Sequence, residues 1–89
     1  MRPIRLQKQF ERDLKLAAKQ GLALARLWAA VDLIRRSVRL DARHRPHKLS
    51  GEWNGFWECH IAPDWLLIWQ DLGDEIVLVR TGTHSDLFR

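Results

Sequence analysis

The 89-residue chain carries a single cysteine, Cys59. No disulfide can close within it, which fits a reducing compartment. No apolar run approaches the roughly 20 residues that a membrane-spanning helix needs. The opening stretch, MRPIRLQK, has no signal-peptide core, so a cytoplasmic location is expected. There is no Gly-rich phosphate loop and no nucleophile elbow, which removes the two commonest small-motif routes to phosphate binding and serine hydrolysis. There is also no repeat, low-complexity tract or interdomain linker. The length suits one domain over residues 1–89, with one modest core and no room for a long cofactor fold.

What is present is a charge asymmetry and a cluster of histidines. Residues 1–48 hold 13 Lys/Arg against 4 Asp/Glu, or +9, and residues 49–89 hold 2 against 7, or −5, within a net charge of +4. A basic half attracts phosphate backbones by counterion release, or an acidic protein partner. It also reads plainly as a solvated helical surface, because Lys and Arg are good helix formers.

Periodicity divides the chain. Ile4 to Gln7 predicts a short leading strand. Phe10, Leu14, Ala17 and Ala18 recur at helical spacing, with Arg12, Lys15 and Lys19 directed to solvent and Gly21 as the stop. A second helix is predicted from about Leu22 to Val38, with Leu24, Leu27, Trp28, Val31, Ile34 and Val38 as its stripe. Arg26, Arg35, Arg36 and Arg39 fall largely off that stripe. So short a break implies a helical hairpin. Residues 41–51 read as a polar loop. Three strands follow, over residues 53–60, 65–70 and 75–80, the middle one apolar throughout as expected of a strand covered on both faces. The order is β-α-α-β-β-β with a short C-terminal segment. That is an α+β fold, a helical hairpin on a mostly antiparallel sheet.

Histidine is the side chain most easily set to exchange a proton near neutral pH. His60 and Asp64 flank Ile61-Ala62-Pro63. If those three residues form the loop, 60 pairs with 64, 58 with 66 and 56 with 68. An imidazole then lies beside a carboxylate, with Cβ atoms roughly 4.5–5.5 Å apart. Such a neighbour raises a histidine pKa and lowers the carboxylate's. A two- or four-residue loop changes the parity. In the plain structural reading Asp64 is a turn residue after Pro63 and His60 an ordinary strand histidine.

Further candidates lie on either side. His84 follows the last strand, where loop residues commonly carry function. Phe88 is a core anchor or a ring that stacks on a base. His47, Lys48 and Arg45 share a basic loop suited to phosphate, and His44 has less to recommend it. Arg80 can clamp a phosphate bidentately if the preceding turn brings it round. Most of the five tryptophans belong to the core. Trp65, beside Asp64, is the one expected near a site. A zinc site built from His47, His60, His84 and Asp64 ranks below acid–base chemistry, because no short ligand spacing occurs and Cys59 points to the other strand face.

Two segments carry a resemblance. HKLSGEWNGFWECHIAPDWLLIW (47–69) and RTGTHSDLF (80–88) closely resemble the YafQ branch of the RelE superfamily, the toxins of bacterial type II toxin–antitoxin systems. The resemblance covers most of the chain and includes the RelE-like order of elements. It implies a ribosome-dependent endoribonuclease that cuts mRNA in the ribosomal A site without metal or cofactor, contacts ribosomal RNA, and is held in check by a cognate antitoxin protein. The toxin alone is expected to be monomeric. By motif, His47, His60, Asp64, His84 and Phe88 fall on positions used for catalysis and mRNA placement. The resemblance makes His84 the proton donor to the leaving 5′-oxygen, and Asp64 or His60 the base for the ribose 2′-hydroxyl.

A second class of function is a small basic module that binds RNA or an acidic protein without chemistry. Replacing Asp64 would then scarcely matter, whereas neutralising Arg35, Arg36 and Arg39 would abolish function.

Overall fold

The computed structural model describes residues 2–37, 40 and 44–88. The elements are β1 (Ile4–Leu6), α1 (Lys8–Lys19), α2 (Leu24–Arg35), β2 (His47–Lys48), a 3-10 turn (Gly51–Trp53), β3 (Trp57–Ala62), β4 (Trp65–Asp71), β5 (Ile76–Gly82) and a terminal helical turn, α3 (His84–Leu87). The strands form one sheet in the order β1-β5-β4-β3-β2. The β1–β5 pair is parallel, and the remaining pairs are antiparallel. The α+β expectation holds, with the predicted helical hairpin and leading strand.

Helix α1 buries Phe10, Asp13 and Ala17, spaced by three and four so that they lie along one stripe. It ends where Gly21 takes φ +76. The Gly21 and Leu22 amides then satisfy the carbonyls of Ala18 and Ala17, each at 3.1 Å. Only glycine takes that left-handed turn cheaply. Helix α2 is shorter than its pattern suggested, closing at Arg35, and Ser37 already has φ +59. Its expected end at Val38 lies outside the described residues, as do Arg39 and loop positions 41–43.

The sheet buries both faces, and alternation along each strand decides which side chain goes where. On the helix side Phe10, Leu27, Val31 and Ile34 meet Cys59, Trp65, Leu67, Trp69, Ile76 and Leu78. On the other side Leu66, Ile68, Val77 and Val79 pack beneath Leu87, with Leu49, Trp53 and Phe56 around them. That second, smaller core holds the C-terminal turn against the sheet. Among the described residues no helix is long and apolar enough to cross a membrane.

Three local expectations change. The strand expected from Trp53 begins at Trp57, because residues 51–53 form the 3-10 turn. His47 and Lys48 are a two-residue edge strand in register with Glu58 and Trp57, where a loop was expected. The β3–β4 connection is not the three-residue loop. Ala62 pairs with Trp65, His60 pairs with Leu66, and an irregularity between His60 and Ala62 shifts the register. Pro63 and Asp64 therefore make a two-residue turn, and the proposed 60–64 pairing does not occur.

Candidate active site

The chemistry gathers on the sheet face opposite the two long helices. Period-two alternation sends Trp57 and Cys59 to the helix side and leaves Glu58 and His60 on this face. Register then sets His47 against Glu58, and His47 Nε2 lies 3.3 Å from Glu58 Oε1. The other ring nitrogen, Nδ1, is 3.0 Å from the Arg45 carbonyl oxygen. Glu58 is only 5% exposed, an acid kept inside because a basic partner meets it.

At the far end of the face, α3 presents His84. The chain reverses from β5 into α3 through Gly82, where an added Cβ would stand 3.3 Å from the Asp86 Cβ. Thr83 caps the turn: its hydroxyl accepts the Asp86 amide at 3.1 Å, and the Asp86 carboxylate accepts the Thr83 amide at 3.4 Å. This reciprocal capping box steadies a four-residue helix that would not form alone. The β3–β4 turn comes up beside it. Asp64 Oδ1 accepts the His84 backbone amide at 3.0 Å and faces His84 Nδ1 at 2.8 Å. Asp64 is thus a turn residue with a specific partner, and the partner is His84 rather than His60.

The His84 ring centroid lies 5.8 Å from that of His60 and 6.5 Å from that of Phe88. Phe88 in turn meets Trp53 edge-on at 6.1 Å and stays 42% exposed. Its ring rests against Trp53 and keeps an open side.

Ionisation differs from the pairing expectation. Burial lowers the His60 pKa below 6.5 against the raising influence of Glu58, with His84, Arg45 and His47 adding to the lowering. His60 Nδ1 is buried with no hydrogen-bond partner among the described residues. Asp64 is held below 3.8, first by the His84 backbone N–H and then by the His84 side chain. Cys59 is pushed up to about 12 by burial, with Glu58 adding to the effect, so its thiol is inert at neutral pH.

Four predicted contact residues fare differently. Trp65 is 3% exposed and lies in the helix-side core, so it does not line a site. Its indole donates to the Thr81 hydroxyl at 2.9 Å, and that hydroxyl donates to the Leu66 carbonyl at 2.7 Å. Arg80 is committed to Asp13 of α1, with Nε–Oδ2 at 2.8 Å and Nη2–Oδ1 at 3.3 Å. The same carboxylate accepts the Thr81 amide at 3.1 Å. The bidentate fork expected to hold phosphate is therefore occupied by a buried acid. Lys48 alternates away from His47 and sits over the Trp57 ring, 5.4 Å from its centroid. Arg45 is exposed, with φ +46.

Asp13, Glu58 and Thr81 were missed. Glu58 was within reach of the sequence, two residues from His60 on a strand. Asp13 was not, since its partner Arg80 is 67 residues away. Among the described residues no group of three His, Cys, Asp or Glu side chains stands ready to hold a metal ion.

Comparison with known proteins shows the family and the fold. Residues 2–89 match the family described as the bacterial toxin of type II toxin–antitoxin system, YafQ. The mRNA interferase toxin YafQ of Escherichia coli K12 is 35% identical over 88 residues, 98% of this chain and 96% of that protein. A copper-bound mutant toxin from Helicobacter pylori superposes with a TM-score of 0.95 at 35% identity, over 99% of this chain and 100% of that one. The toxin in the E. coli DinJ–YafQ toxin–antitoxin complex superposes with a TM-score of 0.91 at 34% identity, over 99% of this chain and 98% of that one. The chain belongs to the YafQ family of type II toxins.

Proposed function

We propose that this YafQ-family toxin is an mRNA endoribonuclease working at the ribosome by attack of the ribose 2′-hydroxyl on the adjoining phosphate. The observation that carries the reading is the Asp64–His84 pair held 5.8 Å, ring to ring, from His60 on one open face. The reaction needs a base on the 2′-hydroxyl and an acid on the leaving 5′-oxygen. It forms the 2′-oxygen–phosphorus bond, breaks the phosphorus–5′-oxygen bond, and leaves a cyclic phosphate and a free 5′-hydroxyl.

His84 suits the acid. Asp64 accepts at Nδ1, which fixes the ring and assigns Nε2 to the substrate, since a bond at one imidazole nitrogen decides what the other does. Asp64 is occupied as the orienting group by two contacts from His84. The base then falls to His60, whose pKa is lowered below 6.5, chiefly by burial, which favours the neutral imidazole. A positioned acid or base contributes typically about 10²–10⁴-fold. His47, anchored by Glu58, adds a polar contact for the message, and Phe88 offers a ring face to a base. Lys48, Arg45 and the basic surface of the first half supply attraction for the message and ribosomal RNA. Arg80 acts through Asp13 and Thr81 as a positioning residue. Dependence on the 2′-hydroxyl makes RNA rather than DNA the substrate, and the steps above use no metal. A cognate antitoxin is the expected partner, as DinJ is for the E. coli protein. The toxin acts as a monomer in the cytoplasm.

The test is overproduction in bacteria. His84→Ala should restore growth while the purified variant remains folded, and a chelator should leave message cleavage intact. Undiminished toxicity of the variant removes His84 from the chemistry, and loss of cleavage with chelator points to a metal.

A further inference from the structure

Beside the open face lies a cleft of about 800 Å³, lined by Arg26, Ala29, Arg45, His60, Ile61 and Pro63 among others, of which only His60 and Arg45 have a part in the steps above. It runs along β3 past the point where β2 ends. Strand β2 pairs with Trp57 and Glu58, and among the described residues no strand pairs with β3 from Cys59 onward on that side. Helix α2 closes one wall. Arg26 spans to the exposed edge, and its Nη2 donates to the Ile61 carbonyl at 2.7 Å. Arg45 also lines the cleft, with φ +46, and is close enough to His60 for its charge to register there.

We propose that this cleft receives an RNA nucleotide flanking the cleaved bond. The inference rests on the ribonuclease reading and extends the same site. Small-molecule sites commonly span about 300–1,000 Å³, so the volume suits one nucleotide. Among the described lining residues there are two guanidiniums and no carboxylate, which suits a phosphate. Ala29, Ile61 and Pro63 give an apolar wall for a base. His60 lines the cleft and stands beside His84, so a strand leaving the reacting phosphate meets the cleft at His60. An acidic antitoxin peptide is the competing occupant. The continuity through His60 favours the message.

Ala29 is exposed on α2, so Ala29→Trp fills the cleft without touching the core. Purified wild type, Ala29→Trp, Arg45→Ala and His84→Ala would be compared on programmed ribosomes, with melting curves as a check on folding. The expected result is a fall of about 10-fold in kcat/KM for Ala29→Trp, the scale of one lost stacked base, and a similar fall for Arg45→Ala. Messages with a single abasic nucleotide, placed in turn one and two positions either side of the cut, supply the second readout. At one position the difference between Ala29→Trp and wild type should vanish. A plugged toxin that cuts as fast as wild type overturns the proposal, as does a deficit that no abasic position removes. If Ala29→Trp loses antitoxin binding but not cleavage, the cleft is a protein-docking surface. If His84→Ala retains full activity, the underlying reading fails instead.

Discussion

The Trp65 indole and the Thr81 hydroxyl share a buried hydrogen bond of 2.9 Å between β4 and β5, and each lies within three residues of a member of the Asp64–His84 pair. Trp65 follows Asp64 directly, and Thr81 precedes His84 by three positions. The exposed pair is thus set by a bond that water does not reach. Thr81→Val keeps the shape but strands the Trp65 N–H and takes one donor from the Leu66 carbonyl. Each unsatisfied buried group costs about 1–3 kcal/mol. Urea denaturation should show a loss on that scale, together with reduced message cleavage. Full activity in the destabilised protein would show that the bond supports the fold and not the site.

Asp13 is 8% exposed on the apolar stripe of α1, where a carboxylate is costly unless paired. Its partners are Arg80, the Thr81 amide and Gln9. Removing one member of a buried ion pair leaves the other charge uncompensated, at about 3–5 kcal/mol. Asp13→Ala should lose stability of that order in equilibrium denaturation. A double change, Asp13→Leu with Arg80→Met, should recover much of it, because a well-packed apolar pair often matches a buried ion pair. No recovery in the double variant would locate the cost elsewhere in α1.

These two residues mark where sequence reading stops. The helices, the leading strand and the three long strands were legible because their burial follows a local period. The grouping of His47, His60, Asp64, His84 and Phe88 was legible through motif resemblance. The pairing partner of Asp64 was not. It depends on whether the β3–β4 turn has two residues or three, and one residue of slip moves every side chain to the other face. The irregularity between His60 and Ala62 is an event of backbone pairing with no residue signature here. The direction of Arg80 was not legible for a related reason. The β4–β5 register also shifts, between Ile68 and Trp69, and nothing near Arg80 in the chain announces Asp13.

His60 links the site to pH. Its folded pKa is lowered, chiefly by burial, so the unfolded chain binds a proton more readily. Stability contributed by the neutral ring is present above the unfolded value near 6.5 and is lost as pH falls from there through the folded pKa. His60→Gln should flatten this dependence, seen as urea midpoints that differ less between pH 7 and pH 5 than in wild type. If His60 is the base, the acidic limb of the cleavage profile should lie below pH 6.5. A limb above that value would exclude it.

Asp64 offers a test at a single atom. Oδ1 receives both the His84 amide and the His84 ring, and these two bonds hold its pKa below 3.8, the backbone bond being the larger cause. His84→Ala removes the ring and keeps the amide. The Asp64 carboxyl should then titrate higher than in wild type yet still below 3.8, read from its carbon chemical shift as pH is lowered. Asp64→Asn should keep a hydrogen-bond acceptor for the amide, and so keep α3 seated, while the His84 ring loses its charged partner. Cleavage should fall by less than in His84→Ala, because an oriented imidazole remains. Equal losses would mean that Asp64 takes part in the proton transfers itself, and the base would then have to be reassigned from His60.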